Sequence, residues 1–418
     1  MRSKGFTIVE LLVSVVVAGV ALAGIYYYYS AVQGSMREQG RISQAQLEAR
    51  LGMELIAADL QRAGFLATPN SDVDPSVTRQ APGASALLRV HPIVFHDGMV
   101  GSVWEPGAAS RTPLPNAAQN VNLAPDDVTL YGNYLNANEY LAQTINASAG
   151  TVMLQPLLNF PIPGTATGAA APLLTLTDGE FRQLFPLSAF LRIVNRHGIA
   201  QFTRVAAVSG FAALTINVNP LPVQYGPGQM GGIEGWCEGC RVNVVNGVLY
   251  RIERRANDAA TIDEDESLIT DLVHYFVDQN GNPLAGTREV VVAYAVDFQV
   301  WFRACEPVAG GAAVPTIDLQ NPDIPPDATV MVGTAAGRVN PPLGTLASQP
   351  ELIRSAIVRV TVRTRTEDPK FVFRPRTNVL DRLKGFEVYP TAEGAAHVRS
   401  YTTEVEMPNI AFMSLGGC

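Results

Sequence analysis

The first thirty residues combine a long apolar run, one acidic side chain and a small residue placed for cleavage. The run extends from Phe6 to Tyr29, and Glu10 is its single charged residue. A carboxylate at membrane depth costs about 2.5–3.5 kcal/mol on insertion scales, so Glu10 requires a partner or a function. Hydrolysis after Gly5 would leave the apolar run intact and create a new amine on Phe6. That ammonium group is a suitable partner for the carboxylate.

The segment GFTIVELL, from Gly5 to Leu12, resembles the class III signal of type IV prepilins and type II secretion pseudopilins. The resemblance implies that a prepilin peptidase cleaves after Gly5 and methylates the new amine of Phe6. It also implies that Glu10 acts in assembly by neutralising the Phe6 amine of a neighbouring subunit within a bundle of apolar helices. A plain single-pass anchor is the alternative.

A membrane-spanning helix is predicted for residues 6–29, after a leader peptide of residues 1–5. At about 1.5 Å per residue, some twenty apolar residues cover the hydrocarbon core of a bilayer. Arg2 and Lys4 precede the run and are expected to stay in the cytoplasm. We therefore predict a single-pass protein of the bacterial inner membrane whose C-terminal head lies in the periplasm.

The helix is predicted to continue far beyond the membrane as a stem of residues 6–64, roughly 85 Å long. An apolar stripe at helical spacing is expected to pack on the head, and it comprises Leu47, Leu51, Leu55, Ile56 and Leu60. Gly64 suits a left-handed C-terminal cap.

The end of this predicted stem carries a second resemblance. The segment AADLQRAGF, from Ala57 to Phe65, is similar to the end of the stem helix in the PilW family of minor pilins. It is less similar to the minor pseudopilin J subunit of type II secretion. The resemblance implies an α+β, type IV pilin-like fold, in which the long helix packs on an antiparallel β-rich head with long loops.

Residues 65–418 are predicted to form that head, because the helical period gives way to short alternating runs. Strands are expected at 86–95, 128–134, 151–158, 189–195, 200–208, 212–218, 292–302, 355–365 and 398–407. The strand at 292–302 is predicted to be half-buried, with Asp297, Gln299 and Trp301 on its outer side. The head is either one domain or two subdomains divided near residues 226–235.

The four cysteines are Cys237, Cys240, Cys305 and Cys418. An even number in an exported head favours disulfides, and three pairings are possible. We favour Cys237 with Cys240 and Cys305 with Cys418. The string WCEGC is similar to a thioredoxin-type motif, but a strand rather than a helix is predicted to follow it, so a structural disulfide is favoured over a redox site or metal ligands.

No residue pattern predicts catalysis or a cofactor. The histidines show no metal or triad spacing, and the sequence contains no nucleophile elbow or phosphate loop. Asp278, Asn280 and Asn282 place oxygens at alternate positions like the start of a calcium loop, yet the distal glutamate is missing. They are weak calcium candidates, and a tight turn at Asn280-Gly281 is the simpler interpretation.

The charge balance argues against a nucleic-acid partner. The chain has 30 Lys and Arg against 38 Asp and Glu, and removing the leader changes its formal charge from −8 to −10. Arg359, Arg363 and Arg365 share one strand face, with Arg374 and Arg376 beyond them. We predict a solvated face that pairs with carboxylates, with contact to DNA or anionic lipid as the alternative.

These patterns together predict a structural protein rather than an enzyme: a low-copy minor pilin that primes or caps a type IV pilus. The implied partners are the prepilin peptidase, other minor and major pilins through the stem, and the inner-membrane assembly platform. After assembly the protein would lie in a pilus on the cell surface. The alternatives are a type II secretion pseudopilin of the tip complex, and a pilus-tip adhesin or DNA-binding subunit.

Overall fold

The structure is a computed structural model. It describes residues 7–68, 71, 74–78, 90–96, 102–105, 110–113, 120, 123–135, 138–155, 177–187, 189–210, 213–223, 237, 239–255, 268–278, 280–304, 350–374, 383–389 and 394–411.

One helix dominates the N-terminal part of the chain. Helix α1 extends over Ile8–Arg62, a length of 55 residues, and Thr7 is its N-cap. Gly64 follows with φ +81°, the left-handed conformation that a residue without Cβ adopts at least cost. The predicted long N-terminal helix is confirmed, whereas Gly64 lies in a turn after the helix, because its amide donates to the Tyr131 carbonyl and the cap residue is Ala63.

The rest of the described chain contains sixteen strands, two short α-helices and a 3-10 helix at Pro350–Leu352. The strands are β1 (Ile93–His96), β2 (Ser102–Trp104), β3 (Arg111–Pro113), β4 (Asp127–Gly132), β5 (Tyr140–Asn146), β6 (Thr151–Leu154), β7 (Phe190–Val194), β8 (Ala200–Val208), β9 (Thr215–Asn219), β10 (Arg241–Arg254), β11 (Thr270–Val277), β12 (Glu289–Val292), β13 (Ala295–Ala304), β14 (Ile353–Arg363), β15 (Gly385–Phe386) and β16 (Ala396–Glu406). The helices are α2 (Asp178–Leu184) and α3 (Pro408–Ala411).

The upper part of the stem packs on two sheets. One is an antiparallel sheet in the order β13-β14-β16-β15. The other contains β1, β4, the second half of β10, β11 and β12, also antiparallel, and β2 adds a single parallel pairing to it. Helix α1 contacts β12, β14 and β16, and side chains of both sheets share one apolar core with it. We call this the stem core.

A second core lies inside a closed barrel that the sequence did not predict. Strand β10 pairs with β5 along one edge and with β7 along the other, and the path β5-β6-β9-β8-β7 closes the ring. All six strands are antiparallel to their neighbours. Phe181 in the middle of α2 and Phe185 at its C-cap are buried in the barrel core. Closure leaves these strands without free edges.

The barrel lies beyond the upper end of the stem. Ala63 bridges to Gly132, which is also the partner of Asn246 in β10. Tyr250 contacts Asp59, which lies one helical turn before Ala63, so residues 246–250 of β10 extend along the stem towards the apolar end of α1. Residues 241–245 of the same strand belong to the barrel and therefore extend away from the apolar end of α1.

The predicted strand at 292–302 was wrong in two respects. The backbone turns at Ala293 and Tyr294, where Tyr294 has φ +55°, so β12 and β13 are separate strands in different sheets. The strand is also buried on both sides, because Asp297, Gln299 and Trp301 are buried like the core valines opposite them. Asp297 is paired with Arg359 and Gln299 donates to a backbone carbonyl, which satisfies these polar groups.

The division of the head remains a prediction. The proposed boundary at residues 226–235 lies outside the described residues. Strand β10 belongs to both the barrel and the stem-bearing sheet, so one continuous strand connects the two cores.

Candidate assembly site

The first turn of α1 positions the single carboxylate of the apolar segment. The Glu10 amide donates to Thr7 Oγ1 at 3.3 Å, and the Thr7 amide donates to Glu10 Oε2 at 3.1 Å. This reciprocal capping box holds the carboxylate at the start of the helix. Gly5 and Phe6 lie outside the described residues. The carboxylate lies against the backbone of Thr7, which would be the second residue of the chain after the predicted cleavage.

The apolar segment that follows has no cover within the described part of the chain. Ile8–Tyr29 is long and apolar enough to cross a membrane, and none of its most apolar window is buried. Twenty-two residues of helix span about 33 Å, close to the roughly 30 Å thickness of a hydrocarbon core. Complete burial of one valine or leucine side chain is worth about 1.5–3 kcal/mol. The segment therefore fits a membrane anchor or a place in a bundle of apolar helices.

Further along, one face of α1 is packed on the head. Its buried residues are Ala49, Met53, Ile56 and Leu60. At Gly52 the helix comes so close to β12 that an added Cβ would lie 2.1 Å from Val292 Cγ2 and 3.0 Å from the Val291 carbonyl oxygen. The glycine therefore permits this close approach.

The predicted packing stripe was partly wrong. Ile56 and Leu60 do face the head, but Leu47, Leu51 and Leu55 are exposed. Successive residues lie about 100° apart around a helix, so Leu51 and Leu55 each lie about 100° from the packed residue that follows, Gly52 and Ile56 respectively.

A buried carboxylate ties the stem to the head. Asp59 is 7% exposed, and the Tyr250 hydroxyl donates to its Oδ2 at 2.5 Å. The Tyr134 hydroxyl donates to the Asp59 carbonyl oxygen at 3.0 Å. Burial raises the pKa of Asp59, an effect opposed by the hydrogen bond from Tyr250 and the nearby charge of His274. Asp59 was not predicted from the sequence, although an acidic residue between the apolar positions Ile56 and Leu60 indicates a buried carboxylate.

A histidine lies against this junction. His274 packs on the Tyr250 ring, and its Nδ1 lies 3.9 Å from Glu289 Oε2. Burial lowers the pKa of His274, although Asp59 and Glu289 act in the opposite direction. The charge of Arg62 on the stem also lowers the pKa of Asp59.

The cysteine pair belongs to the barrel. Cys237 and Cys240 form a disulfide, and both are buried in the barrel core. The Ala142 amide donates to the Cys240 carbonyl at 2.8 Å, and the Gly239 amide donates to the Ala142 carbonyl at 2.9 Å. The turn thus lengthens the contact between β5 and β10 where the barrel closes. Cys305 and Cys418 lie outside the described residues.

The weak calcium candidates form a turn. The Asp278 carboxylate accepts hydrogen bonds from the amides of Asn280 and Asn282 at 2.8 Å each, and from Asn282 Nδ2 at 3.2 Å. Gly281 has φ +81°. The described residues contain no group of three or more His, Cys, Asp or Glu side chains that could hold a metal. The geometry is that of an Asx turn between β11 and β12.

The predicted basic face was wrong for its two central arginines. Arg359 is buried and pairs with Asp297 at 3.3 Å. Arg363 is buried and donates to the carbonyls of Thr364, Arg365 and Leu268. Arg365 and Arg374 are exposed, whereas Arg376 lies outside the described residues. Arg359 and Arg363 therefore offer no surface to DNA or lipid.

Residues 1–26 match the family model described as the prokaryotic N-terminal methylation motif. The chain carries a type IV prepilin signal. Such a signal marks a component of a pilus or pseudopilus and its processing by prepilin peptidase. The match covers Gly5, Phe6 and Glu10, and it ends within the exposed apolar segment of α1.

Comparison of folds finds a weak likeness to the type IV-like pilin TTHA1219 from Thermus thermophilus. The two chains are 13% identical, and the alignment covers 56% of this chain and 92% of that one with a TM-score of 0.18. A score this low carries no argument. No curated protein sequence matches the chain.

Proposed function

We propose that this protein is a low-copy minor pilin, of the PilW type, that primes or caps a type IV pilus. The observation that carries the proposal is a prepilin signal on a helix whose apolar end is bare and whose other end is built into a large head. The bare end would lie in the inner membrane before assembly, with the head in the periplasm. It would afterwards join the bundle of stems contributed by major and minor pilins on the assembly platform.

The position of the barrel supports a place at the end of a filament. The barrel extends the head beyond the upper end of the stem, away from the apolar segment. In the middle of a shaft that volume would overlap the position of the next subunits along the axis. At a tip nothing lies beyond it, so the head meets no such obstacle.

Glu10 is the residue to which we assign axial registration. Its carboxylate is held at the first turn of α1, next to the backbone of Thr7. The N-methylated amine of Phe6 on an adjacent stem would find there a fixed negative charge in an apolar surrounding, where the attraction between opposite charges is strong. No catalytic role is assigned to any residue.

Mass spectrometry of the N-terminal peptide tests the proposal. We expect N-methylated Phe6 in sheared surface filaments, at a small fraction of the abundance of the major subunit. A Gly5→Arg variant, in which cleavage is blocked, should remain in the membrane fraction and serves as the control. An intact leader in the wild-type protein would refute the prepilin assignment, and equal abundance with the major subunit would refute the low-copy role.

The same experiment separates the alternative within this class. Processed protein that is found in membranes and never in surface filaments would favour a type II secretion pseudopilin of the tip complex.

A further inference from the structure

The segments that follow β14 and precede β16 are joined into one edge of the head. The Thr364 amide donates to the His397 carbonyl at 2.8 Å, which continues the pairing of β14 with β16. Further on, the Asp368 amide donates to the Ala395 carbonyl at 3.0 Å. Phe371 then stacks on the His397 ring, with ring centroids 4.2 Å apart. We refer to residues 364–374, 383–389 and 394–399 as the β14–β16 edge.

The exposed charges of the β14–β16 edge are positive. Its exposed Lys and Arg residues are Arg365, Lys370, Arg374, Lys384 and Arg399. Its three carboxylates, on Glu367, Asp368 and Glu387, are half-buried. Val372, between two of the cations, is 74% exposed. Five cations against three carboxylates give this edge a net positive charge, although the chain as a whole has a formal charge of −8.

This edge lies at the end of the head that faces the apolar segment of α1. Helix α3 follows directly after β16, and Asn409 Nδ2 of α3 donates to the Gln61 carbonyl at 2.6 Å, so β16 ends at the upper end of the stem. Lower down, a Cβ on Gly52 would meet Val292. Three residues later, β13 begins with a residue that pairs with Val362, near the end of β14. Strand β14 therefore extends from the upper end of the stem towards the apolar segment, and the edge continues in that direction.

A length of α1 separates the head from the apolar segment. Among the described residues of α1, the first that packs on the stem core is Ala45, sixteen residues after Tyr29, or about 24 Å of helix. Gly40 lies in this length, and nothing lies within 4 Å of a Cβ there. Glycine weakens the interior of a helix, and membrane-spanning helices tilt by up to about 40°. The head is therefore free to lean to one side.

Leaning brings the β14–β16 edge close to the bilayer. A tilt of about 40° lowers the start of the head from about 24 Å to about 18 Å above Tyr29. It lowers any point of the head by a further ~6 Å for each 10 Å that the point lies to the side of the helix. The polar layer of the bilayer occupies about 5–7 Å of that height, and charges attract across about 8 Å more. An edge displaced by one layer of structure, about 10 Å, thus comes within reach of anionic headgroups.

We propose that the β14–β16 edge docks on the anionic phospholipid of the membrane in which α1 is anchored. Arg365, Lys370 and Arg374 pair with the phosphate groups, and Val372 enters the polar layer between them. The inference rests on the proposed function, because it requires α1 to span a membrane before assembly. It adds that the head is held on the bilayer until the stem is raised into a filament. Docking needs little intrinsic affinity, since the anchored helix keeps the edge at a high local concentration.

Fluorescence of the full chain in vesicles tests the docking. An environment-sensitive fluorescent amino acid replaces Val372 in one variant and Leu187, which is 60% exposed before β7 of the barrel, in the control. The vesicles contain phosphatidylcholine with or without phosphatidylglycerol, and their headgroups carry a quencher. We expect about threefold stronger quenching at residue 372 when phosphatidylglycerol is present, and none at residue 187. Equal quenching in both lipids, quenching at both positions or no quenching would overturn the proposal.

Neutralising one cation provides a second readout. We expect Lys370→Gln to lower the ratio of docked to free heads about fivefold, the effect of one cation near an anionic surface. Arg182→Gln, at an exposed cation of α2, should leave the ratio unchanged. An undiminished ratio with Lys370→Gln would refute the docking. Flotation of the vesicles separates the outcomes: protein that floats without quenching refutes the docking alone, whereas protein that does not float refutes the membrane anchor of the proposed function as well.

Discussion

The stem core and the barrel core are built from the chain in different ways. The stem core joins residues of α1 to strands from across the head, as far along the chain as Ile410. The barrel core uses only residues from Tyr140 to Val244, one continuous stretch. Contacts between near neighbours in sequence cost less loop entropy than distant ones. We infer that the barrel forms from its own stretch of chain, whereas the stem core requires the helix and both sheets at once.

The difference has a functional consequence. In the proposed assembly, forces applied to the apolar segment of α1 reach the head through the stem core. The barrel is attached to the stem-bearing sheet through β10 and through a third apolar cluster, in which Phe190 and Phe202 of the barrel pack with Leu249 and Val273. We expect a substitution inside one core to disturb the other core less than its own, and the predictions below measure that independence.

The largest effect is expected from Phe181→Ala. Phe181 is fully buried in the barrel core and packs edge-on against Phe185, with ring centroids 5.3 Å apart. Truncating a buried phenylalanine to alanine costs about 3–5 kcal/mol. Hydrogen exchange on the detergent-solubilised protein should show faster exchange in β5–β9 and unchanged protection in β14. Arg182→Ala, at an exposed neighbouring site, is the control, and equal loss of protection in both cores would contradict their independence.

A smaller loss, confined to the stem core, is expected from Gly52→Val. The new Cβ would lie 2.1 Å from Val292 Cγ2, closer than real Cβ atoms approach, and 3.0 Å from the Val291 carbonyl oxygen. Overpacking of this kind costs up to about 3 kcal/mol. Limited proteolysis should cut the stem near residue 52 while the barrel stays protected. Gly40→Val is the matched control, because nothing lies within 4 Å of a Cβ at Gly40. Equal resistance of both variants would show that the helix does not depend on this approach.

The sequence predicted what local patterns determine. The apolar run, the left-handed glycine at residue 64 and the alternation in β8 and β14 each depend on neighbours in the chain, and the structure has these elements within a few residues of the predicted positions. The prepilin signal is likewise a local pattern, and it was found from the segment Gly5 to Leu12.

What the sequence did not predict depends on distant partners. The barrel closes because β10 uses both of its edges, and no local alternation indicates which strands will pair. Arg359 looked like a surface residue because Asp297, its partner, lies in another strand. The exposure of Leu51 follows from the position of Gly52 against β12, which fixes the rotation of the helix on the head.

Removing the disulfide should weaken the barrel at its closure. Replacing Cys237 and Cys240 together by serine removes a cross-link over a very short loop, which is worth about 2 kcal/mol on the chain-entropy estimate. The pairing of β10 with β5 comprises only two residue pairs, so the loss should appear there first. Hydrogen exchange at Ala142 and neighbouring amides reports it. Unchanged exchange at Ala142 would show that the strands close the barrel without the cross-link.

The smallest effect is expected at the junction between stem and head, from Asp59→Asn. Burial raises the pKa of Asp59, so the folded state favours the protonated carboxyl more than the unfolded state does. The resulting stability is complete below the ordinary aspartate pKa of 3.8 and is lost as the pH rises through the raised value. His274 acts in the opposite direction: its lowered pKa provides stability above pH 6.5 that is lost as the pH falls through the folded-state value.

The side-chain amide introduced by Asp59→Asn still offers an oxygen to the Tyr250 hydroxyl but has no charge to desolvate. The Asp59 contribution to stem-core stability in the wild-type protein should therefore fall as the pH rises above 3.8, and the variant should lack this contribution. Denaturant unfolding between about pH 4 and pH 6, followed by hydrogen exchange at Ile56 and Leu60, measures it. Asp278→Asn, in the exposed turn, should retain the wild-type slope. Because His274 gives a slope of the opposite sign, the test is the difference between wild type and Asp59→Asn. A difference of the opposite sign would mean that the hydrogen bond from Tyr250 outweighs burial, and that the junction is held by a charged aspartate.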